Sequence, residues 1–400
     1  MDLFYQIGTT MTLSRHFYAL DEVHAALQYS STRNDRRETV FWCHELLRSG
    51  CVGETISTLF ESWLWHNGAF GLSWLTVAER LASDEVLEED VLLAAYQLSW
   101  IPFEYRDHSI WHILALSSQG APPDRVTSKT PPYLPSEDIN EVFMVRAMFQ
   151  GKAYSAWWMS RHISDERVWE LLRWYVRYNC PCYAERYTRL FNVLENYPLL
   201  LGYSSDEYTV IVRCLAVLSA CLNTEQQEKS WKPLPPMELG VVEESEIGRT
   251  ARRYRIPSAC LYGRCQRGRM KWSESTIGHL GDIEKGFIGC PFWEEALEEY
   301  QINGMWRSDD AREAFYDRYV MDVPDEWTKE EKQKSHGDGV LGPNETIQLS
   351  KWARPFHTAR LAWNARLTYQ TGESDPLSIS RCAPSSVQEE MLRPVHRKLY

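Results

Sequence analysis

Four hundred residues, 44% of them hydrophobic and 24% charged, make a chain long enough for two or three domains at roughly 100 to 200 residues each. The same balance excludes disordered, collagen-like and low-complexity classes for the chain as a whole. A formal net charge of −12 argues against general affinity for nucleic acid or anionic membrane, so any such binding has to come from a local patch.

The first residues lack the basic and apolar segments of a signal peptide. The longest apolar runs, 91–95 and 110–116, fall well short of the roughly 20 residues that a membrane span needs. A soluble intracellular protein is expected, in cytoplasm, nucleus, viral factory or virion, with no membrane partner. Ten Cys are too sparse for a disulfide scaffold. Cys43, Cys214 and Cys221 sit in helical apolar patterns, where a thiol acts as a small hydrophobe. The 17 Trp, 21 Tyr and 13 Phe, each able to bury about 150 to 250 Å², imply a thick interior or broad interaction surfaces.

In chain order, Asn34 or Asp35 can cap a helix whose apolar positions Val40, Phe41, Cys43, Leu46 and Leu47 recur at spacings of three and four, ended by Ser49-Gly50. A second helix follows over 54–66, with Ile56, Leu59, Phe60, Trp63 and Leu64 on one face and a stop at Asn67-Gly68. Further helices are expected at 74–82, 88–100 and 108–116. No comparable stretch alternates with period two, so strands are minor at most and the fold class is all-α: helical bundle units with an irregular, loop-rich C-terminal region.

An internal repeat emerges when Thr39-Val40-Phe41-Trp42-Cys43 is laid over Ser155-Ala156-Trp157-Trp158-Met159. Residues 54–65 then fall on 166–178, and 110–117 on 212–219. Two helical units, 20–125 and 136–225, follow from this pairing, joined by the Pro-rich linker 121–135. Residues 225–248, with Pro233, Pro235 and Pro236 ahead of Glu243, Glu244 and Glu246, read as an exposed connection. A third region, 249–322, carries a basic segment and helices at 292–302 and 308–320. Residues 323–400 form a loop-rich arm.

Motif searches exclude most enzyme classes. There is no Gly-x4-Gly-Lys-Ser/Thr and no Gly-x-Gly-x-x-Gly, and neither Gly-x-Ser-x-Gly nor His-Glu-x-x-His occurs. Glu104, His108 and His112 stand at i, i+4 spacing, usable by a metal, but a half-buried helix edge beside Trp111 is the favoured reading, since Pro102 disturbs the helix start and no further ligand is suggested. Cys260, Cys265, His279 and Cys290 offer four soft ligands suited to zinc, at looser spacing than zinc fingers use, and isolated cysteines are the favoured reading. Cys180-Pro-Cys182 fits neither the zinc nor the redox pattern and reads as structural. No catalytic residue, metal or cofactor is assigned, and a non-catalytic protein is expected.

The most informative segment is 249–271, which holds Arg249, Arg252, Arg253, Arg255, Arg264, Arg267, Arg269 and Lys271 with no carboxylate. Tyr254, Tyr262 and Trp272 interleave. Arginine forks bind phosphate oxygens and rings stack on unpaired bases, so these eight cations are the candidate nucleic-acid contact. The competing reading pairs them with acidic faces such as Glu85, Glu88, Glu89 and Asp90. A second basic stretch, with Lys351, Arg354, Arg360 and Arg366 among Trp352, Phe356 and Trp363, and the terminal Arg393, His396, Arg397 and Lys398, could serve as docking arms or as solvated tails.

Residues 39–47, an aromatic-rich helix closed by Ser49-Gly50, resemble the helix that opens the collar domain following the ATPase core in clamp-loader-like, Werner-helicase-interacting and bacterial replication-associated recombination ATPases. Leu81-Ala82-Ser83-Asp84-Glu85 is similar to that domain's Ala-Ser-Glu-Asp element, and 111–118 to its small-residue helix. Ile256-Pro257-Ser258-Ala259 and Arg267-Gly268-Arg269 resemble freestanding versions in large DNA viruses of protists. The ATPase core is absent here, and the acidic residue that follows Ile-Pro in the family is Ser258. The resemblance implies an oligomerising or docking helical module tied to DNA replication or repair, without the motor; the expected partners are other proteins and copies of itself, with nucleic acid reached through the basic segment. The alternative is a structural protein of a large viral particle, acting through protein contacts.

Overall fold

The computed structural model describes residues 12–16, 18, 20–81, 85–101, 110, 113, 116, 120–196, 205–245 and 283–319. The protein is all-α; the described residues are 68% helical and hold 14 α-helices and one two-stranded sheet. None of the described helices is long and apolar enough to cross a membrane. The described residues fall into two compact units, one of 59–236 and one combining 12–58 with 237–245 and 283–319. The region read as a loop-rich arm, 323–400, lies outside the described residues.

In the discontinuous unit, α1 (Leu20–Thr32), α2 (Arg36–Arg48) and the start of α3 (Val52–His66) follow one another through tight turns. The cap of α2 is Asp35, whose carboxylate accepts from the Glu38 amide at 3.2 Å. Val40, Phe41, Cys43, Leu46 and Leu47 are all buried, as their spacing requires. The helix stops at Ser49, and Gly50 turns the chain at φ +80°, where a Cβ would sit 2.7 Å from Cβ of Pro291. Only glycine meets both conditions. The apolar period of α1 escapes the sequence reading because Ala26 and Ser30 dilute it, yet Val23, Ala26, Leu27 and Ser30 are all fully buried.

A short helix, α12 (Leu239–Ser245), packs on α2. The chain re-enters with α13 (Pro291–Glu298), the hairpin β1 (Gln301–Ile302) and β2 (Met305–Trp306), and α14 (Asp309–Tyr319). Here the expected helix over 292–302 needs correction. It ends at Glu298, and Gln301 and Ile302 pair with Trp306 and Met305, because Asn303 and Gly304 adopt φ +51° and +76°, the two-residue hairpin turn that Asn-Gly favours. Phe287, Trp293 and Phe315 form the core of this part, with Phe287 4.5 Å from Trp293 and 5.8 Å from Phe315 between ring centres. Trp293 Nε1 donates to the Ser14 carbonyl at 3.1 Å, and the Leu13 amide to the Gly286 carbonyl at 2.7 Å, so the first described residues are stitched to the last.

The other unit takes in the end of α3, then α4 (Leu75–Leu81), α5 (Glu88–Leu98), α6 (Ile139–Phe149), α7 (Ala153–Ser160), α8 (Asp165–Asn179), α9 (Ala184–Asn196), α10 (Ser205–Ala220) and α11 (Thr224–Ser230). Residues 211–220 of α10 are buried without exception, which makes it the central helix on which α7, α8 and α9 pack. A sequence apolar on every side except at Arg213, such as residues 211–218, suits only a buried helix, and Arg213 pairs there with Asp165 and donates to the Ser160 carbonyl. Trp63 and Trp74 stack at 5.8 Å, and their buried indole N–H groups donate to the carbonyls of Gly71 and Ala94, so neither polar end is orphaned.

Residues 121–135 are irregular, as expected of a linker, but they are fastened along their length. Tyr154 Oη donates to the Ala121 carbonyl at 2.6 Å, the Asp124 amide to Ser155 Oγ at 2.9 Å, and Ser128 Oγ to the Arg146 carbonyl at 2.8 Å. The segment read as an exposed connection, 225–248, contains α11, started by a reciprocal capping box between Asn223 and Gln226, and the buried Trp231. Its glutamate and proline content masked both. Of the segments paired in the repeat, 39–43 and 155–159 lie in α2 and α7, while α3 and α8 are both 15 residues long.

Candidate functional site

The eight cations of the basic segment, Arg249, Arg252, Arg253, Arg255, Arg264, Arg267, Arg269 and Lys271, lie outside the described residues, as do Glu104, His108, His112, the basic stretch at 351–366 and the terminal basic residues. Of the acidic faces weighed as their partners, Glu85 and Glu89 are exposed, and Asp90 faces Arg80 at 3.6 Å. Cys260, Cys265 and His279 also lie outside. Cys290 is fully buried, and its thiol donates to the Ser49 carbonyl at 3.5 Å, a carbonyl that the Cys51 thiol also approaches at 3.7 Å. Burial pushes the Cys290 thiol up to about 11 and Cys51 higher still, so both are held as thiols, neither ligand nor nucleophile in that form. Among the described residues no group of three or more His, Cys, Asp or Glu is placed to hold a metal. Cys180 is buried with Gln227 Nε2 at 2.9 Å from its sulfur, whereas Cys182 is exposed. The two sulfurs of Cys180-Pro-Cys182 thus face different surroundings.

The tightest polar constellation was not legible in the sequence, because its members come from an irregular segment and a helix. Ser14 Oγ donates to Glu45 Oε1 at 2.5 Å, His16 Nδ1 meets Glu45 Oε2 at 2.5 Å, and the His16 amide donates to Oε1 at 3.0 Å. Glu45 lies on α2 and is 2% exposed. Burial pushes its carboxyl up, but the charge of His16 and these hydrogen bonds outweigh it and bring the group down to about 2. A serine, a histidine and a carboxylate together suggest nucleophilic catalysis, yet here the serine hydroxyl donates to the carboxylate. Activation of a serine requires that hydroxyl to donate to the imidazole, and Ser14 is fully buried. This geometry does the work of a structural clamp.

A cavity of about 520 Å³ opens in the unit of 59–236, walled by Phe70, Trp74, Trp100, Ile101, Leu234 and Pro235, with Lys229 and Lys232 also lining it. Its size and apolar lining are those of a small-ligand pocket. Two of its polar groups are bound into the fold: Ser73 Oγ donates to the Ser230 carbonyl at 3.1 Å, and Lys229 Nζ to Glu225 Oε1 at 2.8 Å. The cavity can hold an apolar group but offers little to orient one.

No protein-family model, curated protein or solved structure matches the chain.

Proposed function

We propose that the chain is a non-catalytic helical adaptor of DNA replication or repair, a collar-like module without the ATPase motor, which holds other proteins on its helices and touches nucleic acid through residues 249–271. The observation that carries the reading is the clustering of eight cations and no carboxylate in 23 consecutive residues of a chain whose net charge is −12. Such a cluster in an acidic chain concentrates the attraction for phosphate at one place. Burial keeps the thiols of Cys51, Cys221 and Cys290 protonated, and Glu45 is bound by three donors, which is in keeping with a structural role for these four residues.

The test is retention of the full chain on labelled single-stranded and duplex oligonucleotides. Binding is expected at about 50 mM salt and is expected to weaken at least tenfold by about 200 mM, and Arg267→Gln with Arg269→Gln is expected to weaken it at the lower salt. Absence of binding at low salt overturns the reading. Copurification with assembled particles that survives nuclease treatment would instead assign the helical surfaces to a structural protein of a viral particle.

A further inference from the structure

Residues 142–164 and 171–184 are, like several other stretches of this chain, free of carboxylates. The fold brings them together. Tyr175 Oη of α8 donates to the Met148 carbonyl at the end of α6 at 3.2 Å, and the Phe149 ring meets Tyr175 at 4.9 Å and Tyr178 at 6.0 Å. Trp174 and Tyr178, one helical turn apart, lie parallel at 5.5 Å with 9° between their planes. Unlike Tyr175, which is buried, Tyr178 is 47% exposed, and Trp174 and Phe149 are half-buried. The result is a continuous row of three rings reaching solvent. Cations flank it. Arg177 is exposed beside Tyr178, and on the α6 side Arg146 Nε and Lys152 Nζ each donate to a backbone carbonyl, of Ser128 and Arg125, at 2.5 Å. None of the three makes an ion pair with the described residues.

We infer that Phe149, Trp174 and Tyr178, flanked by Arg177, Arg146 and Lys152, form a second nucleic-acid contact, one that takes single strands. The inference rests on the nucleic-acid reading of the chain but uses different residues. Rings can stack only on bases whose faces are open, which a duplex denies and a single strand offers, while the cations take the neighbouring phosphates. The carboxylates nearest the rings, Glu170, one turn before Trp174, and Glu195, are each paired with an arginine, Arg167 and Arg173, which limits their repulsion of phosphate.

Anisotropy of labelled oligo(dT) and of a duplex of equal length, with the full chain, tests it. Trp174→Ala with Tyr178→Ala is expected to weaken oligo(dT) at least about tenfold and to leave the duplex within twofold. Arg177→Gln, at an exposed position, is expected to weaken oligo(dT) a few-fold and to lower the salt dependence by about 0.7 in log–log slope. It carries the test if the aromatic pair fails to fold, judged by helical circular dichroism. Photocrosslinking of an iodouracil-bearing strand is expected to mark the peptide holding Trp174 and Tyr178. Unchanged oligo(dT) binding in these variants, or crosslinks confined to 249–271, overturns the platform while the adaptor reading stands. Loss in the platform variants with none in Arg267→Gln/Arg269→Gln supports the platform and overturns the contact at 249–271. No binding by the unaltered chain overturns both.

Discussion

Glu45 shows how much one buried carboxylate can hold. Its oxygens take the Ser14 hydroxyl, the His16 ring and the His16 amide, so Glu45→Ala takes the acceptor from a buried hydroxyl and from two part-buried donors. Urea denaturation is expected to register a loss of about 3 to 5 kcal/mol, and Glu45→Gln, which keeps an acceptor, a smaller one. The pH dependence follows from two residues. The Glu45 carboxyl is held at about 2, below its ordinary 4.5, so its contribution is present above pH 4.5 and is lost as pH falls towards 2. Burial lowers His24 to about 4 from 6.5. Its Nδ1 contacts Thr58 Oγ1 at 2.8 Å, and since that hydroxyl donates to the Glu54 carbonyl, Nδ1 carries the proton and the ring is neutral. The unfolded chain takes up this proton first, so folding is favoured above pH 6.5 and weakens by up to about 3 kcal/mol as pH falls to 4. Acid titration of stability is therefore expected to show two descending steps, and His24→Leu to remove the upper one.

At the scale of elements, what the sequence made legible were helices with a strong period and a marked end. The cap Asp35, the apolar face of α2 and the stop at Ser49-Gly50 all stand where the residues place them, and α3 and α5 follow the same logic. Elements whose signal was short or diluted went unread: α1 behind Ala26 and Ser30, α11 behind a run of polar residues, and the hairpin at Asn303-Gly304 because its strands are two residues long. Gly50 joins the two scales. Its sign of φ could be inferred from a helix stop, but the approach of Pro291, 241 positions later in the chain, could not. Gly50→Ala is expected to cost about 2 kcal/mol or more, from left-handed strain together with the 2.7 Å approach to Pro291. Asn223→Ala, which removes half of a capping box, is expected to cost about 1 kcal/mol. Thermal denaturation of the two variants checks the order.

For the whole molecule, charge was legible as an average and as a run, but not as a surface. The run at 249–271 is visible by counting. The proposed platform on α6 and α8 is not, because 142–164 and 171–184 each look like ordinary helical sequence. Only the fold separates a buried Tyr175 from a Tyr178 that reaches solvent. The consequence is a difference in kind between the two contacts. On the proposed reading the cations at 249–271 act through phosphate, so each phosphate contact removed is expected to lower the log–log salt slope for single strands by about 0.7. Arg267→Gln with Arg269→Gln is expected to flatten that slope by about 1.4 and to weaken duplex and single strand alike. Stacking releases no counterions, so Trp174→Ala with Tyr178→Ala is expected to lower affinity for single strands at every salt concentration with the slope unchanged. Titrations of one oligonucleotide over a range of salt separate the two: parallel lines for the aromatic variant, converging lines for the arginine variant.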